Sequence, residues 1–311
     1  MCALWQHNTG AIASTMIALC LGICAAFAWG LHDFCVRSVS QSSGIFASLL
    51  TVLASGIIVL TGVALMFSHP MGMTALYYKL SIASGLSFAV AAVALYIAFS
   101  IGPVRLVAPI IGAYPILSVG WSTAAGVPLS LAQSVAVLSI LTGVSGVAIL
   151  SDNGQKGLDQ NKAIIWATIA AAAFAATFGF GQAAVATGDE ALSMLITRTV
   201  AFSAVLIMAF LGHQKVTPAR AQLPLLIGMG GLDTLALGCV SLAGLWPHSE
   251  YASVTSSIFG MITVILAWAF LNEPMTRAHW ICVSLTFAGV LGRGIMSQTS
   301  VCPLRTSQPE P

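Results

Sequence analysis

The chain has 311 residues, 58% of them hydrophobic and 6% charged, with a formal net charge of +2 and a mean hydropathy of +0.96. Soluble domains are about a quarter charged, so these few polar side chains leave too little to cover a water-facing surface of this size. The small net charge excludes a nucleic-acid partner held by electrostatics.

The first ten residues carry no Lys or Arg, and the apolar run that follows outlasts a signal peptide. The N-terminus therefore reads as a first spanning helix, although Ala25-Ala26-Phe27-Ala28 imitates a cleavage site. Runs such as 44–67 and 163–186 are long enough to cross a hydrocarbon core of about 30 Å, which takes about 20 residues. Backbone groups in lipid must satisfy one another, and the runs lack the alternation of barrel strands, so they are helices. Ten spans follow in order: 12–36, 44–67, 80–100, 104–124, 131–150, 163–186, 191–211, 223–245, 251–271 and 277–296. The expected fold is an all-α membrane protein of ten transmembrane helices. The polar stretch 151–162 divides it into a first five-helix repeat (1–150) and a second (163–297), and 298–311 reads as a disordered tail.

Residues 85–144 align with 231–290 without a gap at an offset of 146, although only eight of the sixty pairs are identical. The prolines, polar breaks and apolar runs fall in step: Gly85-Leu86 meets Gly231-Leu232, Pro128 meets Pro274, and Gly143-Val144 meets Gly289-Val290. An odd number of spans per repeat forces the two halves into opposite orientations. Inverted repeats of this kind belong to transporters that rock one half against the other. The loops after odd-numbered spans hold Arg37, Arg105, Lys156, Lys162, Lys215, Arg220 and Arg277, against Lys79, Arg293 and Arg305 on the other side. By the positive-inside rule this predicts cytoplasmic odd loops and external termini.

Three places resemble the drug/metabolite transporter superfamily in its ten-helix EamA-like branch. Span one ends in Trp29-Gly30-Leu31-His32-Asp33-Phe34. Spans four and five carry Tyr114-Pro115, Pro128 and Gly143-Val144, and the second repeat has Leu271-Asn272-Glu273-Pro274 followed by Gly289-Val290. Arg198 in span seven is similarly placed to an arginine often found in the family. The resemblance implies structural motif roles for Trp29, Gly30, Pro128, Glu273 and Pro274. It also implies cytoplasmic termini, against the charge count. The chain departs from the family pattern in having Val127 where the first repeat should carry its glutamate, and Thr255 opposite Pro109.

A charge near the bilayer centre costs about 2.5–3.5 kcal/mol or more on insertion scales, so the few intramembrane charges are the candidate substrate and proton sites. Asp233 lies midway along span eight; the alternative is an acid merely bonded to a neighbouring helix. His32 and Asp33 end span one, where an imidazole and a carboxylate suit proton exchange or, more plainly, an interfacial pair. Arg198 either holds a substrate carboxylate or neutralises a buried acid. Glu250 opens span nine beside His248, where a carboxylate also serves as a plain cap. Tyr96, Tyr114, Trp121 and Trp268 are aromatics in spans that, by the resemblance, line the cavity. Asp189 and Glu190 read as a solvated loop, and Glu273 as a structural loop residue. The run Gly228-Met229-Gly230-Gly231 suits a kink in span eight.

No cofactor is expected. The seven cysteines lack metal spacing, and Gly179-Phe180-Gly181 lies in an apolar span rather than a nucleotide loop. The expected function is secondary active transport, as an exporter of small organic metabolites or drugs, with proton coupling. The expected partners are a small-molecule substrate, protons, the lipid bilayer of a bacterial inner membrane and a second copy in a homodimer, with no nucleic acid. The alternative is a membrane-embedded enzyme or a receptor without transport. Against the enzyme stands the scatter of single carboxylates along the sequence.

Overall fold

The computed structural model describes residues 2–68, 73–114, 116–117, 131–151, 159–243, 252 and 255–299. Among them lie ten α-helices: α1 (Cys2–Ser42), α2 (Ile45–Phe67), α3 (Ala75–Ile101), α4 (Val104–Gly112), α5 (Leu131–Ser151), α6 (Gln160–Val185), α7 (Glu190–Leu211), α8 (Leu223–Ala243), α9 (Phe259–Phe270) and α10 (Arg277–Thr299). Each corresponds to one expected span. No strand occurs among the described residues. Six helices are long and apolar enough to cross a membrane, and this is an integral multi-pass membrane protein. Pro128, Trp121, Val127, His248, Glu250 and most of the expected linker and tail lie outside the described residues.

Helix starts follow the local sequence. The Thr74 side chain accepts the Tyr77 N–H (3.3 Å), Asp159 accepts that of Lys162 (3.4 Å) and Asp189 that of Leu192 (2.8 Å). Each satisfies a donor that the first helical turn leaves without a partner. Asp159 also pairs with the Lys162 ammonium at 2.8 Å, whose hydrogen bond holds its carboxyl below the usual range. Asp189 is no simple solvated loop residue. Its carbonyl accepts the Tyr77 hydroxyl at 2.6 Å and its carboxylate accepts Ser68 Oγ at 3.3 Å, tying α7 to α3 and α2.

Loops after odd-numbered helices meet at one end of the bundle, here the odd face. Ser43 Oγ donates to Gln222 there at 2.5 Å, and Glu273 meets the start of α4. Loops after even-numbered helices gather at the even face, marked by the Ser68–Asp189 contact. Arg37 and Arg105 turn inward and are buried, 9% and 5% exposed. They therefore leave the loop-charge count.

The packing partners carry over when five is added to a helix number. α3 packs on α6 and α7, and α8 on α1 and α2; α4 packs on α6, and α9 on α1. α2 meets α7, α4 meets α9 and α5 meets α10, pairs that map onto themselves. The α5–α10 crossing shows the same exchange atom by atom. A Cβ on Gly143 would lie 2.6 Å from the Cys282 carbonyl, and one on Gly289 would lie 2.8 Å from that of Ala136. Ala136 and Cys282 are themselves partners at the offset of 146. Small residues here let two backbones touch, which is how helices associate where lipid offers no hydrophobic drive.

α8 is continuous through Gly228–Gly231, so those glycines make no break in it. Gly230 instead seats α8 on α2, where an added Cβ would lie 2.5 Å from the Val52 carbonyl, whereas Gly228 and Gly231 face open space. Gly143→Leu should therefore force α5 and α10 apart and cost about 1–3 kcal/mol or more through overpacking. Gly228→Ala should be neutral or stabilise by up to about 1 kcal/mol, the helix-propensity gain. Thermal unfolding of the two variants in detergent, followed by circular dichroism, checks both signs.

Candidate functional site

A cavity of about 570 Å³ lies between the halves, walled by α1, α2 and α3 from the first and α6, α7 and α8 from the second. Its surface is mostly apolar, supplied by residues such as Leu53, Phe88, Leu95, Phe174, Phe178 and Leu237. At one end the lining reaches the exposed α6–α7 turn at Gln182, Ala186 and Glu190. Toward the odd face it stops at Asp33, Leu95 and Tyr96, beyond which Val36, Phe99, Val104, Leu106 and Val107 pack with essentially no exposure. Among the described residues, the cavity reaches the surface at the even face and is sealed toward the odd.

The intramembrane charges converge on this cavity. Arg198 on α7 reaches Asp233 on α8, Nη2 to Oδ2, at 2.6 Å, with both side chains largely buried (8% and 16% exposed). The second carboxylate oxygen accepts the Trp29 indole N–H at 3.1 Å. On its other side the Arg198 guanidinium lies 4.0 Å over the Phe88 ring, a placement that lets the ring face share the positive charge. One turn along α1 from Trp29, His32 Nδ1 sits 3.0 Å from Asp33 Oδ1, and both residues are buried. Both lie within electrostatic reach of Asp233. Asp33, Asp233, one permanent cation and one imidazole thus meet in a single apolar chamber, with Glu190 in the lining at its even-face end.

Aromatic rings continue from this charged floor. Phe88 meets Phe174 (6.0 Å), Phe174 stacks on Phe178 (6.4 Å) and Phe178 lies against Tyr114 (5.1 Å). The Tyr96 hydroxyl is buried in the cavity wall and has no hydrogen-bond partner among the described residues. A buried hydroxyl is ordinarily bonded, so this one calls for a partner from the cavity.

Of the sequence candidates, Trp29, His32, Asp33, Tyr96, Tyr114, Arg198 and Asp233 all line the cavity. Gly30 does not. It is the point where α1 touches α9, since a Cβ would lie 2.7 Å from Ile262, and its carbonyl accepts Thr263 Oγ1 at 3.2 Å. Trp268 also stays out, half exposed and edge-on to Trp280 at 5.7 Å. Glu273 and Pro274 lie at the odd face, away from the cavity. Phe88 and Phe174 are lining residues that the sequence did not single out, and Glu190, expected in a solvated loop, is a third. The phenylalanines gave no signal among so many apolar residues, and Glu190 was hidden beside the capping Asp189.

The model of the EamA-like transporter family matches residues 161–293, from the start of α6 into α10. Over this stretch the chain is similar to that family, part of the drug/metabolite transporter superfamily, whose members are membrane transporters of small molecules. No curated protein matches it in sequence. One solved crystal structure, of a protein 14% identical, superposes with a TM-score of 0.58 over 93% of this chain and 99% of that one. At this identity the likeness shows the fold alone.

Removing one member of a buried ion pair leaves the other charge stranded, which costs about 3–5 kcal/mol, whereas an apolar pair of similar volume is often tolerated. Arg198→Met alone should destabilise the protein strongly, and Arg198→Met with Asp233→Leu should recover most of the loss. A double-mutant cycle on unfolding free energies in detergent measures the coupling; additive losses would contradict it.

Proposed function

We propose that the protein is a secondary active transporter, an exporter of small organic metabolites or drugs, that works by alternating access between two inverted five-helix repeats and is coupled to protons. The observation that carries this reading is the cavity itself. It lies at the junction of the halves, opens among the described residues to one face only, and holds the buried charges of α1, α7 and α8. Helices with an odd count per half are antiparallel to their counterparts. The matched packing of α3 on α6 and α8 on α1 then offers two equivalent arrangements, one open to each face.

The chemistry follows from the ion pair. A substrate carboxylate entering the cavity competes with Asp233 for Arg198, and a substrate ammonium competes with Arg198 for Asp233. The apolar body of the substrate lies along Phe88, Phe174 and Phe178, and the Tyr96 hydroxyl supplies a hydrogen bond. A carboxylate displaced from its cation in so apolar a chamber is stable only with a proton, because an unpaired buried charge is expensive. A carboxylate substrate thus brings a proton in with it, whereas an ammonium substrate and a proton compete for Asp233, the exchange that export needs. His32–Asp33, one turn along α1 from Trp29, provides the neighbouring proton site. With both termini cytoplasmic, as in the family, the even face is the cytoplasmic one. The open cavity then stands ready to load from inside the cell, the first step of export.

The test is reconstitution in liposomes with an imposed pH gradient and a panel of labelled amines, amino acids and carboxylates. The wild-type protein should move at least one class faster with the gradient than without. Asp33→Asn and Asp233→Asn should each lower gradient-driven flux by about tenfold or more, one lost ion-pair interaction, while substrate exchange without a gradient persists. Unchanged gradient-driven flux in both variants removes the proton site. No movement of any compound at any pH removes the transporter reading itself.

A further inference from the structure

α4 is short, wholly buried and starts after Pro103, which has no side chain able to cap it. Its first turn has four N–H groups with no partner inside the helix. Those of Leu106 and Val107 are taken by the Pro103 carbonyl, both at 3.1 Å. The remaining two, of Val104 and Arg105, donate to Oε1 and Oε2 of Glu273 at 2.9 and 3.1 Å. One carboxylate from the second half therefore completes a helix of the first half. The contact is returned by Arg105, whose Nη1 donates to the Pro274 carbonyl at 3.0 Å. Asn272, at φ 52°, provides the left-handed turn after α9 that brings Glu273 round to α4.

These contacts sit on the closed face. Val104, Leu106 and Val107 of α4 belong to the layer that seals the cavity floor. The cavity cannot open to the odd face while α4 is held by the α9–α10 loop. At the equivalent position of the first repeat stands Val127, which has no acceptor to offer.

We infer that Glu273 is a latch: its two charge-assisted bonds to the α4 backbone hold the odd face shut. This rests on the alternating-access reading above. A carboxylate bonded to backbone N–H groups at a helix start is held by both hydrogen bonding and the helix dipole. Losing it shifts a two-state equilibrium toward the unlatched arrangement.

The test labels a cavity position from each side of sealed vesicles of known orientation. Ala92→Cys, in the cavity wall, is treated with a membrane-impermeant maleimide, and modification of its peptide is read by mass spectrometry so that native cysteines do not interfere. With Glu273 intact, labelling should come from the even face alone. Glu273→Gln should raise odd-face labelling by about tenfold or more, the loss of one charged hydrogen bond. Odd-face labelling unchanged by Glu273→Gln, in protein still labelled from the even face, overturns the latch. If Glu273→Gln is labelled from neither face, Arg105→Met, which removes the return bond to the Pro274 carbonyl, decides: raised odd-face labelling supports the latch and an unchanged rate overturns it. A protein that transports but keeps its sidedness refutes the latch alone, whereas one that moves no solute refutes the transport reading beneath it.

Discussion

A guanidinium and a carboxylate 2.6 Å apart inside an apolar bundle set the terms for the rest of this protein. Each ion loses several kcal/mol of hydration on burial, and only close mutual contact with further hydrogen bonds offsets it. Here the offset is shared among four helices. α7 brings Arg198, α8 brings Asp233, α1 brings the Trp29 indole and α3 brings the Phe88 ring. All four must meet at one depth, which fixes the register of each against the others. The glycine contacts that let α8 sit on α2 and α1 on α9 serve the same end.

The scaffold is duplicated and the charges are not. Gly143 and Gly289 exchange roles at the α5–α10 crossing, while Ser87 stands opposite Asp233 and Val127 opposite Glu273. A backbone that repeats supplies two arrangements of nearly equal energy. Side chains that do not repeat then bias one over the other and give the chamber a direction. On this account the cavity charges choose the cargo and Glu273 chooses the resting state.

Much of the fold was legible because lipid allows few options. Long apolar runs must be helices, and each of the ten described helices falls within or across an expected span, α4 and α9 covering only part of theirs. α1 runs on to Ser42, past the expected end at 36, because Arg37 finds the Phe99 carbonyl of α3 and no longer needs water. Individual site residues were legible for the same reason, since Asp233 and Arg198 are costly in an apolar span. Their pairing was not, because 35 residues separate them and 204 separate Trp29 from Asp233. Carboxylates that look scattered along the chain are gathered by the fold, Asp33 and Asp233 into one cavity. Trp268 misled because an aromatic on the outer face of a helix looks the same in sequence as one facing a cavity.

The central claim is that one cavity is exposed to each face in turn. The distance across its even-face mouth tests this most directly. Spin labels at Thr187→Cys and Leu242→Cys, in protein whose native cysteines are replaced by alanine, report it by pulsed electron paramagnetic resonance in liposomes. The account predicts two distance populations whose ratio changes with pH or with a transported compound, the shorter one belonging to the state closed at this mouth. A single distance, unmoved by pH and by every compound that the protein transports, would contradict it.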